Sequence, residues 1–113
     1  MHEYSIVEAL LTRVDAEARA RGATAVHRLT VRIGELSGVE IDLLATAFAT
    51  FRDRTICARA DLDVRTVAAA WTCPLCGQSI GRGAMLQCPR CGVPARLAQG
   101  DEIVLDRIEM EVP

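Results

Sequence analysis

The chain has 113 residues, half of them apolar and a quarter charged, with a formal charge of −2. That length suits one domain with a small appended module, and the apolar content excludes a disordered chain. The mildly acidic balance excludes a general nucleic-acid binder, which carries a basic surface.

No targeting segment is visible. The chain opens with His2 and Glu3 instead of a basic region followed by an apolar run, so a secretory signal is not expected. The longest stretch free of charge, residues 66–81, is 16 residues long and holds Pro74 and two cysteines. It is too short and too polar to span a bilayer. A cytoplasmic location with no membrane partner is expected. In a reducing compartment, paired Cys-x-x-Cys motifs point to metal and not to disulfides.

Residues 4–20 carry helical spacing, with Ile6, Val7, Leu10, Leu11 and Val14 on one stripe and Gly22 as a stop. AVHRLTVRIGEL then alternates as a strand. His27, Leu29, Val31 and Ile33 share one face, and Arg28, Thr30 and Arg32 share the other. On this pattern His27 is a core or half-buried histidine and not a ligand. Ser37-Gly38-Val39-Glu40 has capping-box form, with Ser37 as N-cap. The helix it introduces bears an inward stripe of Ile41, Leu44, Phe48 and Phe51. Cys57 follows it and reads as a small buried hydrophobe.

DLDVRTVAA, residues 61–69, is a second strand, and EIVLDRIEMEV near the end is a third. The last part of the third predicts Ile108, Met110 and Val112 on a buried face and Arg107, Glu109 and Glu111 on a wet one. Between these two strands the composition shifts. Residues 72–100 hold four cysteines, three of the four prolines, and neither acid nor aromatic, which marks a module inserted between neighbouring strands.

The module contains two copies of one turn, Cys73-Pro74-Leu75-Cys76-Gly77 and Cys88-Pro89-Arg90-Cys91-Gly92, with eleven residues between Cys76 and Cys88. Each turn brings two thiolates to one point, backbone N–H groups donate to the sulfurs, and glycine closes the turn. Four soft ligands in a tetrahedron are the arrangement of structural zinc, with rubredoxin-like iron or a redox dithiol pair as weaker readings. Four thiolates leave no open position, so such a zinc is not catalytic. Arg82, Arg90 and Arg96 against the two negative charges of a zinc tetrathiolate leave about +1. With no aromatic platform for base stacking, nucleic acid is not favoured as a partner.

The start of the chain offers a second donor set. The α-amine, the backbone nitrogen of His2 and its imidazole close a five- and a six-membered chelate ring on one ion. An all-nitrogen, near-planar set suits Ni(II) or Cu(II) better than Zn(II), and Glu3 is a candidate to supply or support a fourth position. A single histidine near a chain end is also an ordinary feature, and chemistry alone leaves both readings open.

Four segments together, the start MHEYSIVEALL, GELSGVE, the CPLCG and CPRCG pair and the closing GDEIVLDRIEMEV, resemble the HypA/HybF family of hydrogenase nickel incorporation proteins over nearly the whole chain. The resemblance implies a nickel metallochaperone for the large subunit of [NiFe]-hydrogenase, acting with the GTPase HypB, with urease maturation as a further task in some relatives. It places His2 on the family's nickel ligand, Glu3 beside it, and Cys73, Cys76, Cys88 and Cys91 on the structural zinc ligands. It also implies an α+β fold, a mixed three-stranded sheet with two helices plus an inserted small zinc-ribbon-like domain built on the four cysteines. The division expected is 1–70 with 101–113 as an α/β nickel-binding domain and 71–100 as the zinc-binding domain. No histidine follows His27, so the cysteine module lends none to a nickel site.

Two other classes of function compete with this reading. A zinc-ribbon adaptor binding protein or nucleic acid would need no second metal. An enzyme would need a nucleophile–base signature, a Gly-rich phosphate loop or an HExxH motif, and none is present.

Overall fold

The computed structural model describes residues 2–83 and 85–113. In chain order it contains α1 (His2–Ala20), β1 (Ala25–Gly34), α2 (Ile41–Phe51), β2 (Asp61–Val67), β3 (Ala70–Thr72), β4 (Ser79–Ile80), β5 (Arg96–Gln99) and β6 (Ile103–Glu111). The chain divides into two compact units. The first holds the chain up to Arg32, Val39–Arg65 and Val104–Pro113, and the second holds Ile33–Gly38 and Thr66–Ile103.

In the first unit, α1 begins two residues before the expected helix and packs on α2. Its buried positions are Glu3, Val7, Val14 and Ala18, which follow a single face, while Ile6, Leu10 and Leu11 are half-buried. Acid in the first turn and Arg19 in the last suit the helix dipole. From α2, Leu44, Ala47 and Phe48 are buried, whereas Phe51 is exposed and meets the Tyr4 ring edge-on at 5.3 Å.

The larger sheet has the order β2-β1-β6. Val26 N–H donates to Ile56 O and Glu35 N–H to Val67 O, so β1 and β2 run parallel around the α2 crossover. Thr24 N–H donates to Glu111 O and Gly34 N–H to Glu102 O, so β6 runs antiparallel to β1. The sheet is therefore mixed. Sequence neighbours β2 and β6 lie on opposite sides of β1, so the module connects the two edges of this sheet and not adjoining strands. As the central strand, β1 buries Leu29, Val31 and Ile33, and also Thr30 on the face expected to be wet.

Three local expectations need correction. His27 is exposed, its side chain about 60% accessible, and pairs with Glu111 at 3.2 Å. It lies where the end of β6 supplies a carboxylate and nothing covers the ring. The Ser37 capping box does not form, because α2 starts at Ile41 with Glu40 as N-cap and no side-chain cap of its own. Val112 lies beyond the end of β6 and is exposed, though Ile108 and Met110 are half-buried as expected.

The second unit carries its own small sheet, β4-β3-β5, which pairs Trp71 with Ile80 on one side and with Leu97 on the other. Its apolar centre is Cys73, Ile80 and Cys88, with Trp71, Cys91, Val93 and Ala95 packed around them. This unit is wider than residues 71–100. The Glu35 carboxylate accepts the Ala69 N–H at 2.7 Å and pairs with Arg82, whose guanidinium also lies 5.6 Å over the Trp71 ring. Gly34 and Gly100 meet so closely that a Cβ on Gly34 would collide with the Gly100 carbonyl.

Candidate metal centres

The four-cysteine centre is two copies of one backbone device. In the first turn the Cys73 N–H donates to Gln78 O at 2.9 Å and the Gly77 N–H returns to Cys73 O at 2.9 Å. In the second the Cys88 N–H donates to Val93 O at 2.9 Å and the Gly92 N–H to Cys88 O at 2.8 Å. Gly77 and Gly92 have φ of +75° and +72°, the left-handed conformation that closes each turn and that a side chain would resist. The same turns aim amides at sulfur. Leu75 and Cys76 N–H both reach Cys73 Sγ at 3.4 Å, and Cys91 N–H reaches Cys88 Sγ at 3.3 Å.

All four sulfurs lie within 4.8 Å of one another, and Cys76 Sγ is 3.8 Å from Cys88 Sγ. Metal–sulfur bonds of about 2.3 Å give a tetrahedron with edges of about 3.8 Å, so the donor set has the size a single tetrahedral ion requires. Protonation points the same way. The Cys76 amide, with help from that of Leu75, holds the Cys73 thiol down to about 6 against the effect of burial. The Cys91 thiol is pushed up to about 12, first by its interaction with the Cys76 thiol and then by burial. Four sulfurs this close resist sharing more negative charge, and a bound cation would supply the compensation. Cys73 and Cys88 are buried while Cys76 is exposed, so the cluster sits at the edge of its unit.

The residues at the chain start are arranged differently. His2 opens α1 with its side chain about 56% accessible, and its Nε2 lies 3.7 Å from Glu3 Oε2. Glu3 turns inward and is 3% exposed. Its carboxylate accepts the Glu40 N–H at 3.2 Å and so serves the start of α2 from 37 residues away. That bond, followed by one from the Glu3 amide and the charge of His2, holds the carboxyl down to about 2. The α-amine expected in the chelate belongs to Met1 and lies outside the described residues.

Sequence reasoning gives Glu40 a place in a capping box with Ser37 and a charge suited to the head of its helix, but no tie to Glu3. The only local signal for its tie to Glu3 is that Glu3 precedes Val7 by one helical turn and thus falls on the buried stripe. Cys57 is fully buried, and burial pushes its thiol up to about 11, which makes it an inert packing residue as expected. Among the described residues the four cysteines are the one group of three or more His, Cys, Asp or Glu side chains close enough to hold a metal ion. No described helix is long and apolar enough to cross a membrane.

Comparison with known proteins agrees with this architecture. The family described as "Hydrogenase/urease nickel incorporation, metallochaperone, hypA" matches residues 1–110. The hydrogenase maturation factor HypA of Shewanella oneidensis is 40% identical over 113 residues, covering 98% of this chain and 96% of that protein. That of Aquifex aeolicus is 37% identical over 114 residues, with 99% of both chains covered. The solution structure of the Ni metallochaperone HypA from Helicobacter pylori superposes with a TM-score of 0.74 at 30% identity, covering 98% of each chain. A second solution structure of a HypA protein gives 0.82 at 31% identity, over 100% of this chain and 98% of the other. The chain belongs to the HypA family of hydrogenase/urease nickel-incorporation metallochaperones.

Proposed function

We propose that the chain carries Ni(II) as cargo on its first residues and passes it to the large subunit of [NiFe]-hydrogenase, while the four cysteines hold a resident Zn(II). The observation that carries the reading is the contrast in access. His2 stands open at the head of α1, whereas the four thiols are gathered at one point and two of them, Cys73 and Cys88, accept backbone amides.

On this reading the α-amine, the His2 backbone nitrogen and the His2 imidazole hold nickel. The first N–H groups of an α-helix have no intrahelical acceptor, so engaging the His2 amide breaks no helical hydrogen bond. The positive end of a helix opposes a cation, and the ionised Glu3 carboxylate offsets it. Glu3 supports the site as a neighbouring charge while its side chain is committed to Glu40. The nickel-binding part is residues 1–70 with 101–113, less the segments 33–38, 66–70 and 101–103 that fold with the zinc-binding part around residues 71–100. The GTPase HypB assists delivery, and urease maturation is a second client. The chain moves a metal without transforming a substrate.

Zinc with four thiolates supplies no open coordination position, so its work is to fix the fold of its module. Nickel at a chain end with an open flank lets a client's ligands enter and exchange.

Calorimetric titration of Ni(II) into zinc-loaded protein with its native N-terminus, beside His2→Ala, tests the reading. The expected result is one nickel per chain, lost in the variant with zinc retained. Equal binding by both would remove His2 from the site and leave a zinc-ribbon adaptor without a second metal.

A further inference from the structure

The first unit contains an open groove of about 500 Å³ between α1 and β6, and its charges are unbalanced. Arg13, Glu17 and Arg21 line one wall at successive intervals of four residues, and Ile108 and Met110 line the other. Arg13 and Arg21 are exposed and make no side-chain hydrogen bond or ion pair among the described residues. Asp106, the other acid at the groove, is taken by Arg32 at 2.6 Å. Arg107 alternates with Ile108 along β6, so its side chain points to the other face, where its Nε pairs with Glu109 at 3.9 Å. Arg13 and Arg21 therefore stand at the groove without a partner among the described residues, and Glu17 is the one acid among its lining residues that is not already paired.

Helix electrostatics do not account for this. Arg19 already serves the last turn of α1 and pairs with Asp15 at 2.8 Å, and Arg13 is two turns away from that end.

We propose that this groove docks an extended, acidic segment of a partner protein. Guanidinium groups bind carboxylates through paired N–H donors, and the strip of Ile108 and Met110 accepts aliphatic side chains set between the acids. Arg13 in α1 and Arg21, one residue past its end, are separated by about 12 Å at helical rise, which is the span of roughly four residues of extended chain. An alternation of acid and aliphatic residues over that length meets both arginines. Nucleic acid fits less well, because the groove contains no aromatic side chain on which a base would stack. The groove shares no residue with His2 or the four cysteines, so it stands or falls independently of the nickel reading.

The test is an NMR titration of zinc-loaded, full-length protein at low salt. The probes are a synthetic peptide alternating Glu or Asp with Leu or Val, its Gln/Asn counterpart, and a ten-nucleotide single strand of DNA. The acidic peptide is expected to shift residues 13–21 and 105–112. Arg13→Glu combined with Arg21→Glu should weaken it at least about tenfold and Arg13→Gln several-fold, and Arg59→Glu should leave it unchanged. The neutral peptide should not bind. The proposal is overturned by any of four results: no binding of the acidic peptide at millimolar concentration, shifts outside the groove, an affinity indifferent to Arg13 and Arg21, or tighter binding of the DNA at the same residues.

Discussion

The cysteine module and the head of α1 manage their donor groups in opposite ways. In the module each turn fixes one sulfur and brings a second to it: amides donate to Cys73 and Cys88, and Gly77 and Gly92 close the two loops. At the head of α1 one side chain is fixed and its neighbour is not. Glu3 is buried and bound to Glu40, while His2 beside it is open to solvent. A site built from four converging thiolates holds its ion by surrounding it, and exchange would require a turn to open. A site with one exposed imidazole offers access from outside. On the proposed function, the contrast is that between a metal that maintains a fold and a metal in transit.

The largest effect that could break this contrast is loss of a cysteine. Cys76→Ala or Cys88→Ala should remove the metal and unfold residues 71–100, since a structural zinc contributes on the order of 10 kcal/mol to a module this small. An amide NMR spectrum of that region that survives metal loss would show that the turns need no ion. The next effect in size comes from the close approach inside the second unit. Gly34→Ala should cost about 3 kcal/mol in denaturant unfolding, because its Cβ would overlap the Gly100 and Asp101 backbone and not the far end of a side chain. Gly100→Ala should be no milder, with φ of +114° and a Cβ only 2.5 Å from Ala69 Cα.

Glu3 sharpens the comparison at the other site. Glu3→Gln should lower the melting temperature at neutral pH by about 5 °C. The sign with pH follows from the direction of the shift. A carboxyl held at about 2 when folded, against 4.5 ordinarily, stabilises the fold above pH 4.5. That contribution declines as pH falls toward 2, so wild type and variant should converge in acid. A difference that persists below pH 2 would mean that Glu3 acts by packing and not by charge. The smallest effect belongs to the other histidine. His27→Ala should cost about 0.5 kcal/mol or less, since its pair with Glu111 is exposed on both sides. It should leave nickel stoichiometry untouched.

How much of this is legible in the sequence depends on the range of the interactions. The cysteine turns are legible because each closes within six residues, from Cys73 to Gln78 and from Cys88 to Val93, by local backbone hydrogen bonds. The two helices and three long strands are legible from periodicity, down to Leu44 and Phe48 facing inward and Cys57 being buried. The capping of α2 is not, because its acceptor is Glu3, in a different helix, and Ser37 offers a plausible local alternative. His27 misleads because alternation identifies a face without saying whether anything covers it there. Strands β3, β4 and β5, of two to four residues, are too short for any period to register. The wider extent of the second unit depends on Glu35 reaching Ala69 and Arg82, contacts made across more than thirty residues of chain.

The most direct test of two sites with two roles is a competition experiment on protein carrying one zinc and one nickel. A chelator is added in excess, with nickel followed by its absorbance and zinc by a released-zinc dye. The account predicts that nickel leaves orders of magnitude faster than zinc, at a rate that rises with chelator concentration as entering ligands reach the open site. Nickel release that is independent of the chelator, or that occurs only together with zinc, would contradict it.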